Sequence, residues 1–439
     1  MSLTPEHAAL LEMQSDSLNV LLRVNADQIV RLERQPPALN ISIVIDRSGS
    51  MSGRPIREAT RCANFMLDRM QSTDRLSIIS YDDFAKVEVP SQIVGDRTVF
   101  KKALSDIDSG GSTDLHAGWL SGAEQVAMHQ TNTNVSRVLL LSDGNANRGL
   151  TSPDQISKHC ETLADSGVQT STYGLGSRFN EELMSRMAKA GLGNAYYGQL
   201  AEDLIDPFTE EFDLLASLCA KKLRLSLQPS KNVKVEVANQ YNLDAGGRHI
   251  LPDLAYGGDA WALLKLRFPT DLVKQGAKSI LLLTAHLDFE DLEGNPSSTV
   301  VHLRLDSLPH SEFETVSTEP TVRSRVQELR AAEIQDAARN AARREDWAEV
   351  DLLLEQLKQE VANSPWLAAS LAELKRYAQM RQTESFSKEI HYKSEKLRSR
   401  LVDSSEGMDW SLIEETDKAS FLRRKMEQGK RFRPDDQSH

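Results

Sequence analysis

Residues 40–53 read NISIVIDRSGSMSG. Asn40 to Ile45 is a short run rich in β-branched residues, the composition of a strand buried on both faces. The polar DRSGSMSG that follows has the glycines and serines of a loop. Ile56, Ala59, Ala63, Met66 and Met70 then recur every three to four residues, a single apolar helical stripe, with Pro55 suited to the first turn because its missing N–H needs no partner there. Strand, loop and helix in this order form one half of a βαβ unit. The pattern repeats downstream: Leu76 to Ser80, Val138 to Leu141 and Val168 to Tyr173 read as buried strands, and Leu115, Trp119, Ala123 and Ala127 give a second helical stripe. Residues 38–220 are therefore expected to be an α/β domain, a doubly wound, mostly parallel sheet with helices on both faces.

Outward from this core the periods change. After a short lead that reads as helical, residues 17–33 alternate in the β manner and stop at Gln35-Pro36-Pro37. Residues 221–310 have period two at Leu223, Leu225 and Leu227, at Val233, Val235 and Val237, and at Leu281, Leu283 and Leu287. Asp244-Ala245-Gly246-Gly247, Tyr256-Gly257-Gly258 and Glu293-Gly294-Asn295-Pro296 mark turns between them. An antiparallel β-sandwich is expected here, with residues 1–37 supplying strands to it, so that the α/β domain is inserted in the sandwich or followed by it. Residues 320–403 contain no glycine and only Pro365 past their start. They predict two long helices broken near Asn363-Ser364-Pro365, a C-terminal helical hairpin whose stripe Val350, Leu353, Leu354 and Leu357 packs on its partner helix or on another protein. Residues 404–439 end in Arg423-Arg424-Lys425 and Lys430-Arg431-Phe432-Arg433, a partly basic tail read as mobile, either solvated or a docking peptide.

The 439 residues suit about three domains, and 40% hydrophobic with 26% charged residues is the balance of a globular protein. A net charge of −12 disfavours general binding to nucleic acid or anionic lipid. The three cysteines, Cys62, Cys160 and Cys219, are far apart and in no metal-ligand spacing, which argues against a disulfide scaffold and a zinc ribbon. No signal-peptide pattern and no long apolar run stand in the sequence, so a cytoplasmic protein is expected.

Three segments end at the same sheet edge, outside the carboxyl ends of the strands, where ligands bind in open α/β sheets. They are Asp46-Arg47-Ser48-Gly49-Ser50, Gly110-Gly111-Ser112-Thr113-Asp114 and Leu141-Ser142-Asp143-Gly144. Together they offer hydroxyls and carboxylates alone, an oxygen set for a hard divalent cation such as Mg²⁺. With neutral oxygens from Ser48, Ser50 and Thr113 and the carboxylates partly behind water, the cation keeps its appetite for one more anion, which an Asp or Glu of a partner can supply. Taken singly, each piece also reads blandly: a polar loop, a helix N-cap at Thr113, a turn at Asp143-Gly144. Asp82, Asp83 and Asp114 lie in loops that border the site, and the first two are expected to be solvated. His116 reads as structural.

Other chemistries find no support. A calcium loop starting at Asp143 fails at Arg148, where a glycine is needed, and lacks the final Glu. Gly174-Leu175-Gly176 does not complete a dinucleotide fingerprint, and neither a phosphate loop nor a zinc-protease motif occurs. Gly49-Ser50-Met51-Ser52-Gly53 puts Met where a hydrolase nucleophile belongs.

DRSGSMSG, GGSTDLHAG and LLLSDGNANRG, in that order on a βαβ chain, resemble the metal-ion-dependent adhesion site of the von Willebrand factor type A family over about residues 38–220. The resemblance implies that Ser48, Ser50 and Thr113 contact the cation directly and that Asp46 and Asp143 do so directly or through water. The absence of a signal makes the chain similar to bacterial intracellular members. The wording SGSMSG and SDGNANRG also resembles inter-alpha-trypsin inhibitor heavy chains. The expectation is a non-enzymatic, cation-dependent protein-interaction module or adaptor, its Mg²⁺ (or Mn²⁺ or Ca²⁺) completed by a partner's acidic residue. A scaffold that uses the metal for stability and binds through its helices or tail is the alternative, and a metal-dependent hydrolase a minor one.

Overall fold

A computed structural model describes the chain except residues 14–15, 27–35, 144–145, 176–178, 199–203, 361–364, 400–401 and 404–439; of residues 16, 365–370, 373, 402 and 403 it describes the backbone alone. The expected basic tail, the end of the first β segment, the helix break at Asn363 and Ser364, and Gly144 lie outside the described residues. The chain divides into two compact units, Gln35–Ser217 and Met1–Arg34 joined with Leu218–His439.

The chain opens with strands β1 (Ser2–Pro5), β2 (Ala9–Leu11) and β3 (Asp16–Asn25). The lead expected to be helical is therefore extended. Local helical preference yields to pairing, because β1 lies antiparallel on β3 with Leu3 opposite Leu22, each strand supplying the other's backbone partners.

The α/β unit follows as β4 (Ala38–Asp46), α1 (Arg54–Arg69), β5 (Arg75–Tyr81), β6 (Ala85–Ile93), α2 (Thr98–Ser105), α3 (Leu115–Ala127), β7 (Asn134–Ser142), α4 (Pro153–Asp165), β8 (Gln169–Leu175), α5 (Glu181–Ala190), β9 (Leu192–Gly198) and α6 (Ile205–Ala216). Among the described residues its sheet has the order β6-β5-β4-β7-β8-β9. All neighbours are parallel except β5 and the edge strand β6. Ile41, Ile43, Val44 and Ile45 are fully buried, as a strand covered on both faces requires. The order reverses at β4: the chain moves first to β5 on one side and later returns to β7 on the other. The crevice at that switch point lies beyond Asp46 and Ser142, the last residues of β4 and β7.

Sequence periodicity located the α1 stripe, every member of which is buried, and all of the α3 stripe but Ala127, which is exposed; Val126 is buried instead. The far side of α6 is tied down by a buried polar network. Glu211 accepts from Arg137 Nη1 at 2.6 Å, Ser171 Oγ at 2.6 Å, Asn194 Nδ2 at 2.9 Å and Tyr196 Oη at 2.8 Å.

The second unit resumes with β10 (Leu218–Pro229), which starts earlier than the expected Leu223, then β11 (Lys234–Val237), β12 (His249–Ile250), β13 (Leu254–Ala255), β14 (Gly258–Phe268), β15 (Ile280–Asp291) and β16 (Pro296–Leu308). Among the described residues it forms two sheets. One has the order β1-β3-β14-β11 and the other β12-β10-β15-β16-β2, with β13 also on β10. Since β3 lies along the whole of β14 and β2 pairs parallel with β16, this unit is built from both sides of the α/β insertion.

Five helices close the described chain: α7 (His310–Phe313), α8 (Pro320–Arg343), α9 (Trp347–Glu360), α10 (Pro365–Gln379) and α11 (Thr383–Ser399), followed by β17 (Val402–Asp403) on β14. Val322 and Leu329 of α8 pack on Leu21, Trp261 and Leu263. Where two long helices were expected there are four. The extra breaks fall at Glu345 and Arg381, which adopt left-handed φ of 59° and 50°. Val350, Leu354 and Leu357 are buried among Ala331, Ala338, Leu374 and Phe386, so that stripe is consumed within the helical layer.

Candidate functional site

Asp46 ends β4 fully buried, and its two oxygens are held from the loop after β4 and from the end of β7: Ser48 N donates to Oδ1 at 2.9 Å and Ser142 Oγ donates to Oδ2 at 2.7 Å. Ser48 Oγ lies 3.1 Å from Ser50 Oγ, and Ser50 Oγ donates to Asp143 Oδ1 at 2.7 Å. Asp46, Ser48, Ser50 and Asp143 thus share one continuous hydrogen-bonded chain at the crevice. A single turn of 3-10 helix over Gly49–Met51 folds the two serines onto the same side.

Thr113 is buried on the adjoining loop. Gly49 N donates to Gly111 O at 3.1 Å and Gly110 N to Arg47 O at 2.7 Å, which staples its loop to the first one. Asn147 joins it to the third, since Thr113 N donates to Asn147 Oδ1 at 3.0 Å and Asn147 N to Thr113 O at 3.2 Å. The helix N-cap is Asp114, whose Oδ1 accepts from Ala117 N at 3.0 Å, so Thr113 is not needed for that task. Gly111, at φ +82°, passes close to the neighbouring loop; a Cβ there would stand 3.0 Å from Asp82 Cβ.

Burial pushes the Asp46 carboxyl up to about 6, against the hydrogen bonds from Ser48 and Ser142 and with the nearby charge of Asp143 adding to it. Burial and then Asp46 itself push the Tyr81 phenol well above its ordinary value. No basic side chain among the described residues pairs with Asp46. Asp46 and Asp143 thus bring two carboxylates to one chain with the Ser48 and Ser50 hydroxyls, and Thr113 lies buried on the loop beside them. Among the described residues no group of three or more His, Cys, Asp or Glu that could hold a metal stands together. An all-oxygen set with an uncompensated buried carboxylate fits a hard divalent cation.

The expectation that Asp82 is merely solvated is overturned, whereas Asp83 stays at the surface in an exposed ion pair. Asp82 is 8% exposed, pairs with Arg47 Nη2 at 2.6 Å and accepts from Phe84 N at 3.1 Å. Asp83 pairs with Arg148 Nη1 at 2.7 Å. Parallel register carries the signal that locates them: Asp46 lies opposite Tyr81, so residues 82 and 83 emerge beside residues 47 and 48. Ser142 and Asn147 join the predicted donors as residues that hold the loops in place. Ser142 was legible as the residue before Asp143 on a buried strand, whereas nothing in its spacing marks Asn147. His116 faces His159, Nε2 to Nδ1 at 3.0 Å, and its ring lies near Trp119; this ties α3 to α4.

Residues 40–209 match the von Willebrand factor type A domain, and the inserted α/β unit is a domain of that class. Among curated proteins, uncharacterized protein YfbK of Escherichia coli K12 is 28% identical over 273 residues, 57% of this chain and 48% of its own length. Uncharacterized protein sll0103 of Synechocystis is 27% identical over 199 residues, 45% of this chain and 47% of its own. The chain spans about half the length of these relatives. A solved von Willebrand factor type A protein from Catenulispora acidiphila superposes with a TM-score of 0.66 at 14% identity, covering 91% of this chain and 96% of its own, a likeness of fold. No helix among the described residues is long and apolar enough to cross a membrane.

Proposed function

We propose that the inserted domain is a divalent-cation-dependent protein-docking module and not an enzyme. Ser48, Ser50 and Thr113 would hold the cation directly, Asp46 and Asp143 directly or through water, and an Asp or Glu of a protein partner would complete the shell. The observation that carries this reading is the hydrogen-bonded chain Asp46–Ser48–Ser50–Asp143, anchored on a buried carboxylate with no basic partner among the described residues. Mg²⁺ suits the set best, with Mn²⁺ or Ca²⁺ as substitutes, because every donor is oxygen. With Ser48, Ser50 and Thr113 neutral and the carboxylates held partly behind water, a bound cation would stay electrophilic and attract a further carboxylate. A hydrolytic role would need a general base placed for an attacking water, and the donor set supplies no histidine or free carboxylate for it. A cytoplasmic setting belongs to the same proposal; Cys62, Cys160 and Cys219 are all free thiols.

The test is calorimetric titration of Mg²⁺, Mn²⁺ and Ca²⁺ into wild type and Asp46→Ala/Ser48→Ala, followed by partner capture in Mg²⁺ and in EDTA. Cation binding by wild type alone, with a partner retained only when the cation is bound, is the expected result. Partners indifferent to both chelation and substitution would move the function to the second unit.

A further inference from the structure

The partner's acidic residue would arrive beside an aromatic one. Phe84 caps the turn between β5 and β6 and is 71% exposed. A single exposed phenylalanine is unremarkable in itself. What sets this one apart is how it is held, because each of the three site loops grips its turn. Arg47 of the first loop pairs with Asp82, whose Oδ1 accepts from Phe84 N and whose own N donates to Phe84 O at 3.2 Å. In the second loop Asp114 N donates to Asp82 O at 2.8 Å. From the third, Arg148 pairs with Asp83 and lays its guanidinium 5.4 Å from the Phe84 ring centroid.

An exposed aromatic on a turn held in place in advance loses little backbone entropy on binding, which favours an energetic anchor in an interface. Charge decides what it anchors. Arg47 and Arg148 are already matched by Asp82 and Asp83, and Lys86 by Glu88, so these cations offer no spare positive charge to a run of acids. The margin offers a ring face and aliphatic stems instead. Val87 of the edge strand β6 is also exposed.

Resting on the cation-site reading above, we infer that the site selects partners presenting one Asp or Glu to the cation with a large apolar side chain within a residue or two of it, received by Phe84 and Arg148. The experiment is selection of a random nonapeptide display library on the full chain in Mg²⁺, in parallel on wild type, Phe84→Ala and Ser48→Ala/Ser50→Ala, with Mn²⁺ affinity measured for each. Wild type should enrich an acid flanked by Phe, Leu, Ile or Trp. Phe84→Ala should bind Mn²⁺ unchanged and still enrich the acid but lose the flanking preference, with selected peptides binding it roughly tenfold more weakly. Enrichment of acidic runs without an apolar neighbour, or an unaltered preference in Phe84→Ala, would overturn the inference while leaving the cation site standing. Enrichment that is equal in EDTA, or equal on the double-serine variant, would overturn the cation-site reading and this inference with it.

Discussion

Ser50 Oγ donates to Asp143 Oδ1 at 2.7 Å across 93 positions of chain. A hydroxyl has one proton and two lone pairs, and committing the proton to a carboxylate leaves the lone pairs as acceptors. The same residue is exposed, so its orientation is set by the site and not by packing. Replacing Ser48 and Ser50 by Ala should therefore remove neutral oxygens from the cation while costing the metal-free fold less than about 1 kcal/mol. Thermal melts with and without Mg²⁺ check this: the cation-dependent rise in wild-type Tm should vanish in the double variant. A persisting rise would put the cation elsewhere.

Asp46 gives the pH dependence. Its carboxyl titrates at about 6 in the fold, above the ordinary aspartate value of 3.8. Between those values the folded chain holds a proton that the unfolded chain has released, so stability in EDTA falls as pH rises from about 4 to about 6 and is level beyond. The group's share is about 3 kcal/mol. Asp46→Asn should flatten that slope, and Mg²⁺ should restore wild-type stability at neutral pH by compensating the charge. Urea denaturation across pH 4 to 7.5, with EDTA and with Mg²⁺, reads both effects. A wild-type slope kept intact in Asp46→Asn would contradict the assignment.

Glu211 is wholly buried opposite Arg137, with Ser171, Asn194 and Tyr196 completing its acceptor shell. Removing one partner of a buried pair strands the other, at a cost of about 3–5 kcal/mol. Glu211→Gln should lose about that much stability in urea, whereas Arg137→Met/Glu211→Leu should lose clearly less, because no charge is left unmatched. Equal losses in the single and double variants would show that hydrogen bonding, and not the charge pair, dominates the network.

The parts legible from sequence share a cause. The runs at Ile41 and Val138 are buried on both faces and carry their signal in composition, and the oxygen donors sit where such strands end. What escaped depends on partners distant in sequence. Ser2 to Pro5 becomes a strand because residues 20–23 pair with it. Asp82 becomes an ion-pair partner because parallel register brings it to Arg47. Helix ends at Glu345 and Arg381 escaped for another reason: both positions are left-handed caps occupied by residues that advertise no stop.

That last feature yields a prediction of opposite sign to most substitutions. At the end of α8, Glu345 N donates to Ala342 O at 2.9 Å and Asp346 N to Ala341 O at 3.0 Å, the paired bonds of a Schellman cap with Glu345 as its left-handed residue. A side chain there works against its own Cβ by about 1–2 kcal/mol, and glycine does not. Glycine recovers less than this because the unfolded chain gains freedom. Glu345→Gly should thus stabilise the chain by about 0.5–1 kcal/mol, visible as a higher urea midpoint with unchanged slope. Glu345→Pro is the contrasting control. It removes the donor to Ala342 and cannot reach the required φ, so it should cost about 3 kcal/mol or more. If glycine instead destabilises, the exposed Glu345 side chain makes a stabilising contact that outweighs the backbone strain, and the break between α8 and α9 is held by more than its cap.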